Sequence, residues 1–370
     1  MAVKFDEDEY IDIDGEQSPR LCQTLYGHEE TARQFMQGFA QNRLHHAWLL
    51  TGAKGIGKAS FAYHAAKFIL SNPKGLQPDH FCDDLSQGFL EDIVQLIERG
   101  AHPDLFILNR NYDFKTGKFK NDITIERARE LITFLEKTPA MGGWRVCIID
   151  SVDEMNRSAA NAILKAVEEP ANKVMMFLVS HRPGKLLPTI KSRCQKIPMA
   201  SLDTPTLEDL LADLRPDLEA QPRQATAYLA SGSVGLALDI VENEGLDIYR
   251  NMVDVLASLP NADGVMLHDL AGRMSDARSG KKYQLFQNFL TDWLHRLTLT
   301  AARGVPAPVL FEGEAETVAK FLQSSHLEHW LDVWEKTTDL FRQADALNLD
   351  KKQTILECFT LIRKAVLGRM

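Results

Sequence analysis

The stretch Ala47-Trp48-Leu49-Leu50-Thr51-Gly52-Ala53-Lys54-Gly55-Ile56-Gly57-Lys58-Ala59 restricts the possible folds of this chain more than any other. A short apolar run predicts a buried strand that ends in a glycine loop. Phe61, Ala65, Phe68 and Ile69 then recur at helical spacing. The glycines fit G-x-x-x-x-G-K-S/T except at the last position. In such a loop glycines let backbone N–H groups approach phosphate oxygens, the helix N-terminus adds positive potential, and the lysine reaches the outer phosphates. Gly52, Gly55, Gly57 and Lys58 are therefore the candidate phosphate-binding residues, the alternative being an ordinary glycine turn.

The residues that follow repeat the alternation. Leu105 to Leu108 predicts a second strand, and Thr124 caps a helix whose Ala128, Leu131, Ile132 and Leu135 share one face. Val146 to Asp150 predicts a third strand, Ala160, Ile163, Leu164 and Val167 a helix stopped at Pro170, and Val174 to Ser180 a fourth strand. This order predicts an α/β fold with a parallel sheet covered by helices on both faces. Ser71 to Pro103 reads as an insertion with one helix at Leu90 to Ile97. After about Met199 the strand signal stops and the chain reads as helices to its end. Ser231-Gly232-Ser233 starts one of them, and Asp350 and Gln353 stand at capping-box spacing ahead of Ile355, Cys358, Phe359, Ile362 and Val366. Trp293, Trp330 and Trp334 read as core of this helical block.

The loop lacks parts that phosphoryl-transfer chemistry uses. Ala59 stands where a hydroxyl normally ligates Mg²⁺, and Ser60, turned by about 100° on a helix, is a poor substitute. Asp150 can serve as the metal-associated acid, but Ser151 occupies the place of the glutamate that polarises water. Asp153 and Glu154 are expected to open the next helix, where carboxylates suit the macrodipole.

With 370 residues the chain has room for two to three domains. A net charge of −9 argues against an autonomous nucleic-acid binder, which needs clustered Lys and Arg. Any role on DNA would come through partners. The first twenty residues carry seven carboxylates against Lys4 and Arg20, reading as a solvated acidic tail and not as a signal peptide. Five scattered cysteines, Cys22, Cys82, Cys147, Cys194 and Cys358, suit reduced thiols and a cytoplasmic setting. No apolar run of membrane-spanning length is present, and no membrane association is expected.

The run Leu25-Tyr26-Gly27-His28, the phosphate loop, Asn161 to Pro170 with its Glu168-Glu169-Pro170 ending, and Ser192-Arg193-Cys194 together resemble the AAA+ clamp-loader subunits of bacterial replicases. The resemblance implies a RecA-like AAA+ core over residues 21–199, a small helical lid over 200–245 and an all-α oligomerisation collar over 246–370, after the tail at 1–20. It implies a clamp-loader subunit of the DNA polymerase III holoenzyme, in a hetero-oligomeric ring with gamma/tau motor subunits and a delta subunit, acting on the sliding clamp and primed DNA. Within the family, Ala59, Ser151 and Leu236, which stands where the lid's nucleotide-sensing arginine is expected, point to the member that does not hydrolyse ATP. The chain would then belong to a polymerase complex without polymerase or significant ATPase activity of its own.

In that family the Ser-Arg-Cys arginine, here Arg193, is presented to the neighbouring subunit's ATP, with Ser192 and Cys194 as positioning residues. The reading without the family is a surface or salt-bridged arginine at the end of a short helix. No cofactor is required. The loop, with Asp150 beside it, is compatible with bound nucleotide or phosphate and equally with an empty structural turn. Relatives carry a four-cysteine zinc module in the insertion, where this chain offers only Cys82, His80 and His102, so no zinc is expected. Two competing readings are a working AAA+ motor that uses Asp153 or Glu154 as its base, and an AAA+ scaffold outside replication.

Overall fold

A computed structural model describes residues 18–75, 84–85, 87–113, 118–120, 122–261, 264–276, 280–305 and 308–368. The chain divides into two units, Met1–Asp203 with Gly232–Gly235, and Thr204–Ser231 with Leu236–Met370. Of the expected tail, residues 1–17 lie outside the described residues; Ser18 is buried and Pro19–Leu21 form a 3₁₀ turn.

The first unit is built on five parallel strands: β1 Ala47–Thr51, β2 Leu105–Leu108, β3 Arg145–Asp150, β4 Val174–Ser180 and β5 Gln195–Pro198. Their order across the sheet is β2-β3-β4-β1-β5, with Leu49 facing Leu178 in register and Ile149 also paired with Leu178. Every residue of β1 and β4 is buried because both faces are covered, which is why these strands read as continuous apolar runs. On one face Trp48, Leu50 and Phe177 pack with Phe35 from α1 (Glu29–Ala40) and Phe61 and Phe68 from α2 (Lys58–Ser71). The helix α3 (Glu91–Glu98) adds Ile93 and Ile97 to this core. On the other face Leu49, Ile149 and Leu178 meet Leu131 of α4 (Ile125–Glu136), Ile163 and Val167 of α5 (Arg157–Glu168) and Ile190 of α6 (Pro188–Arg193).

Three expectations are corrected here. The fifth strand, Gln195–Pro198, is an edge strand in which only Ile197 is buried, so it lacks the apolar run that betrays the other four. Asp153 and Glu154 do not open α5; they sit in a separate 3₁₀ turn, and Asn156 caps the helix by accepting the Ala159 N–H at 2.9 Å. Thr124 holds the N-cap position of α4 without a side-chain bond to the helix backbone.

The second unit is helical throughout its described residues. It comprises α7 (Thr204–Leu214), α8 (Ala220–Leu229), most of α9 (Val234–Glu242), α10 (Gly245–Ser258), α11 (Gly264–Ser275), α12 (Gly280–Arg303), α13 (Glu314–Ser324), α14 (Leu327–Leu347) and α15 (Lys351–Val366). Trp293 and Trp330 are core residues, while Trp334 is half-buried and stacks on His295. The Asp350 carboxylate caps α15 by accepting the Gln353 N–H at 2.7 Å, and Ala365, one residue before Val366, completes the buried stripe. A buried polar cluster joins α10, α12 and α13: the Tyr249 hydroxyl donates to Glu314 and accepts from Arg296 at 2.8 Å. Among the described residues no helix is long and apolar enough to cross a membrane.

Candidate functional site: a degenerate phosphate loop and a separate arginine

The loop between β1 and α2 has the form its glycines require. Gly57 takes a left-handed conformation, φ 93°, as the N-cap of α2, which a side chain would strain. At Gly52 a Cβ atom would lie 2.5 Å from the Met199 carbonyl oxygen, so any larger residue would push the loop off β5. His28, buried at the start of α1, donates from Nε2 to the Ile56 carbonyl at 2.6 Å and ties the Leu25–His28 run to the loop. On its other side the Ser233 hydroxyl donates to the Lys54 carbonyl at 3.1 Å and the Gly235 N–H to the Gly55 carbonyl at 3.0 Å. Sequence reading named His28 only as part of a run. Its tie to a residue 28 positions away has no local signal.

Lys58 is 2% exposed and its ammonium donates to the loop's own carbonyls, Gly52 at 2.9 Å and Ala53. Burial pushes it down to about 8 against the support of Asp150 and Asp153, whose charges favour the ammonium. The charged form is thus disfavoured in the folded chain, and the unfolded chain binds more protons between about pH 8 and 10.5. Stability from this group therefore rises with pH through that window, by at most about 1.4 kcal/mol per pH unit. Urea midpoints of the wild type and Lys58→Met at pH 7.5 and 9.5 should show wild type gaining relative to the variant. Parallel pH dependence in the two proteins would contradict the burial of a charged Lys58.

The groups around Lys58 are arranged for structure. Ser151, in the place of a water-polarising glutamate, is 3% exposed and its hydroxyl has no partner among the described residues. The Asp153 carboxylate accepts three bonds, from the Ser180 hydroxyl at 2.7 Å, the His181 N–H, and the Arg182 N–H at 2.9 Å. It pins the end of β4 to the turn after β3. Glu154 pairs with Arg110 at 2.8 Å, and its carboxyl is raised by burial. Burial pushes His181 down to about 4, and the nearby Lys58 charge acts in the same direction, so this imidazole is neutral at pH 7.

Both acids thus have partners within the core. Asp153→Ala should lower stability by about 2 kcal/mol, because it strands the buried Ser180 hydroxyl and the half-buried His181 N–H, with Asp153→Asn intermediate. Chemical denaturation checks this, and a loss below about 1 kcal/mol would show that the three bonds do not hold the turn.

The structure places the loop residues Gly52, Gly55, Gly57 and Lys58 after β1 and Asp150 at the end of β3, at the carboxyl ends of the parallel strands, while Arg193 ends α6 and bonds to Thr189, Ser192 and Glu168. Its Nε lies 2.8 Å from Glu168, and Nη1 donates to the Thr189 carbonyl at 3.2 Å. Cys194 is buried, and burial pushes its thiol up to about 12, as expected of a packing residue. Of the insertion's three zinc candidates, Cys82 and His80 lie outside the described residues. His102 is buried and accepts the Asp104 N–H at 3.1 Å. Among the described residues no group of three metal-ligating side chains converges.

A phosphate loop after β1, an acid ending β3, and five parallel strands in the order β2-β3-β4-β1-β5 define an α/β P-loop core. Residues 27–203 match the family described as DNA polymerase III, delta subunit. The chain is similar to the DNA polymerase III subunit delta' of Pseudomonas aeruginosa, 33% identical over 51% of this chain and 53% of that one. The delta' subunit of Bacillus subtilis is 31% identical over 54% of this chain and 52% of its own length. The tau subunit of Escherichia coli is 30% identical over 60% and 33%. A solved structure of a DNA polymerase III gamma subunit-related protein from Thermotoga maritima overlaps 92% of this chain and 99% of its own, at 18% identity and a TM-score of 0.39. Through the part of the chain that precedes the helical unit, it is similar to the delta' subunits of DNA polymerase III. Its alignments span about half the length of the delta' relatives cited and a third of tau.

Proposed function

We propose that this chain is a non-hydrolysing clamp-loader subunit that completes a ring with gamma/tau motor subunits and a delta subunit, in the cytoplasm. The ring would use ATP to open the sliding clamp and place it on primed DNA. In this reading the core occupies residues 21–199, the lid 200–245 and the collar, the main oligomerisation surface, 246–370. The observation that carries it is a phosphate loop whose backbone form and lysine are kept while the hydrolytic parts are gone.

The donor set suits a phosphate but not a metal-dependent reaction. Gly52, Gly55, Gly57 and Lys58 can cradle an anion, whereas Ala59 has no oxygen to ligate Mg²⁺ and Ser151 cannot take a proton from water. Asp153 and Glu154 are engaged with Ser180, His181, Arg182 and Arg110, which disfavours the motor reading. The chain's own residues therefore act on a neighbour: Arg193 would place a guanidinium against charge developing on a transferred phosphoryl group across the subunit boundary.

The test combines two measurements. Mixed with its own gamma/tau and delta partners, the full chain should elute with them as one complex. Alone, at saturating MgATP, it should release phosphate no faster than Lys58→Ala. Turnover clearly above that control, or failure to co-elute, would overturn the reading.

A further inference from the structure

We infer that Glu168 is the positioning residue of Arg193, holding its guanidinium in the orientation a neighbouring subunit's phosphate meets. This rests on the trans role proposed for Arg193. Glu168 is the last residue of α5, where the helix dipole disfavours a carboxylate, so nothing in the helix itself explains an acid there. Its partner does: Glu168 Oε1 lies 2.8 Å from Arg193 Nε.

The rest of the guanidinium is held from the other side. Nη1 donates to the Thr189 carbonyl at 3.2 Å and to the Ser192 hydroxyl at 3.3 Å, and that hydroxyl itself donates to the Thr189 carbonyl at 3.1 Å. Nη1 is thus hydrogen-bonded and Nε ion-paired, while Nη2 makes no bond among the described residues. The pair is open to solvent, with Arg193 38% and Glu168 41% exposed, so a group from another chain can reach it.

The platform is rigid as well. The last turn of α5 is anchored to the start of β1, because His46 Nε2 donates to the Val167 carbonyl at 2.8 Å. A free arginine has many rotamers to lose when it meets a phosphate. One already hydrogen-bonded at Nη1 and ion-paired through Nε loses fewer, and that difference appears as rate.

The experiment uses the loader rebuilt from full-length subunits, with this chain as wild type, Glu168→Ala, Glu168→Gln, Arg193→Ala, and Arg193→Ala combined with Glu168→Ala. Clamp- and DNA-stimulated ATPase is followed against ATP concentration. Glu168→Ala should lower kcat about two- to five-fold, the factor an exposed ion pair can supply, with KM within about twofold. Glu168→Gln, which keeps the shape but not the charge of the ion pair, should recover little of the loss, and the double variant should be no slower than Arg193→Ala alone.

A loss that persists in the Arg193→Ala background would make Glu168 merely structural, and unchanged or faster turnover in Glu168→Ala would also overturn the inference. Wild-type turnover with Arg193→Ala would remove the trans role itself. A slow Arg193→Ala beside an unaffected Glu168→Ala would remove only the inference about Glu168.

Discussion

Arg193→Ala should leave the chain folded and assembled while sharply slowing ATP turnover by the complex that contains it. The side chain is 38% exposed and its pair with Glu168 lies at the surface, where such pairs contribute about 0–1 kcal/mol. Folding therefore barely registers the change. At the nucleotide it would serve in the proposed ring, removing an arginine finger costs roughly 10³–10⁵ in rate. The measured loss would be smaller if the ring's other ATP sites keep arginines of their own.

Arg193→Lys should rescue poorly, since an ammonium is a point charge that cannot fork onto two oxygens or be held through a second nitrogen. Clamp-dependent, DNA-stimulated ATPase read beside gel filtration of the same sample decides the matter. Wild-type turnover in an intact complex would leave Arg193 a surface arginine paired with Glu168.

The largest stability effect is expected beneath the loop, at Phe35. This ring is fully buried and meets Trp48 of β1 edge-on at 5.1 Å, Phe177 of β4 at 5.9 Å and Phe61 of α2 at 6.1 Å. It therefore braces both the strand that enters the phosphate loop and the helix that leaves it. Phe35→Ala opens a cavity and removes these ring contacts, a loss of about 3–5 kcal/mol for a buried phenylalanine. Leu90→Ala, at a side chain 55% exposed, should change stability by no more than about 0.5 kcal/mol. Urea unfolding of both variants beside the wild type measures the loss. A loss under 1 kcal/mol for Phe35→Ala would mean that α1 does not brace the sheet.

These two residues mark the division between what was legible early and what was not. Phe35 lies in a helix that sequence reading did not single out, and its importance comes from rings contributed by β1, α2 and β4. Arg193 was legible as a candidate only through its Ser-Arg-Cys neighbours. Its pairing with Glu168 joins two motifs that had been read separately. The error over Asp153 has the same origin. Two carboxylates ahead of a helical pattern look like a first turn, but Asp153 is claimed by donors on Ser180, His181 and Arg182, and Asn156 caps the helix instead.

By itself the sequence determined the strand, loop and helix around Lys58, four of the five sheet strands, the passage to helices after β5 and the loss of the loop's metal-ligating hydroxyl. These are local properties: strand and helix periods, glycines at fixed spacing, and the presence or absence of one oxygen are complete within a few residues. Only the tertiary structure decided that Gln195–Pro198 joins the sheet, that His28 holds the loop through Ile56, that Asp153 ties β4 to β3 and that Arg193 rests on Glu168. Each of these depends on a partner 25 or more residues away along the chain, brought near by the burial of two apolar faces of one sheet. Hydrophobic burial sets those approaches without direction, and the short polar contacts form where the backbone happens to bring donors and acceptors together, so neither leaves a pattern in the neighbouring residues.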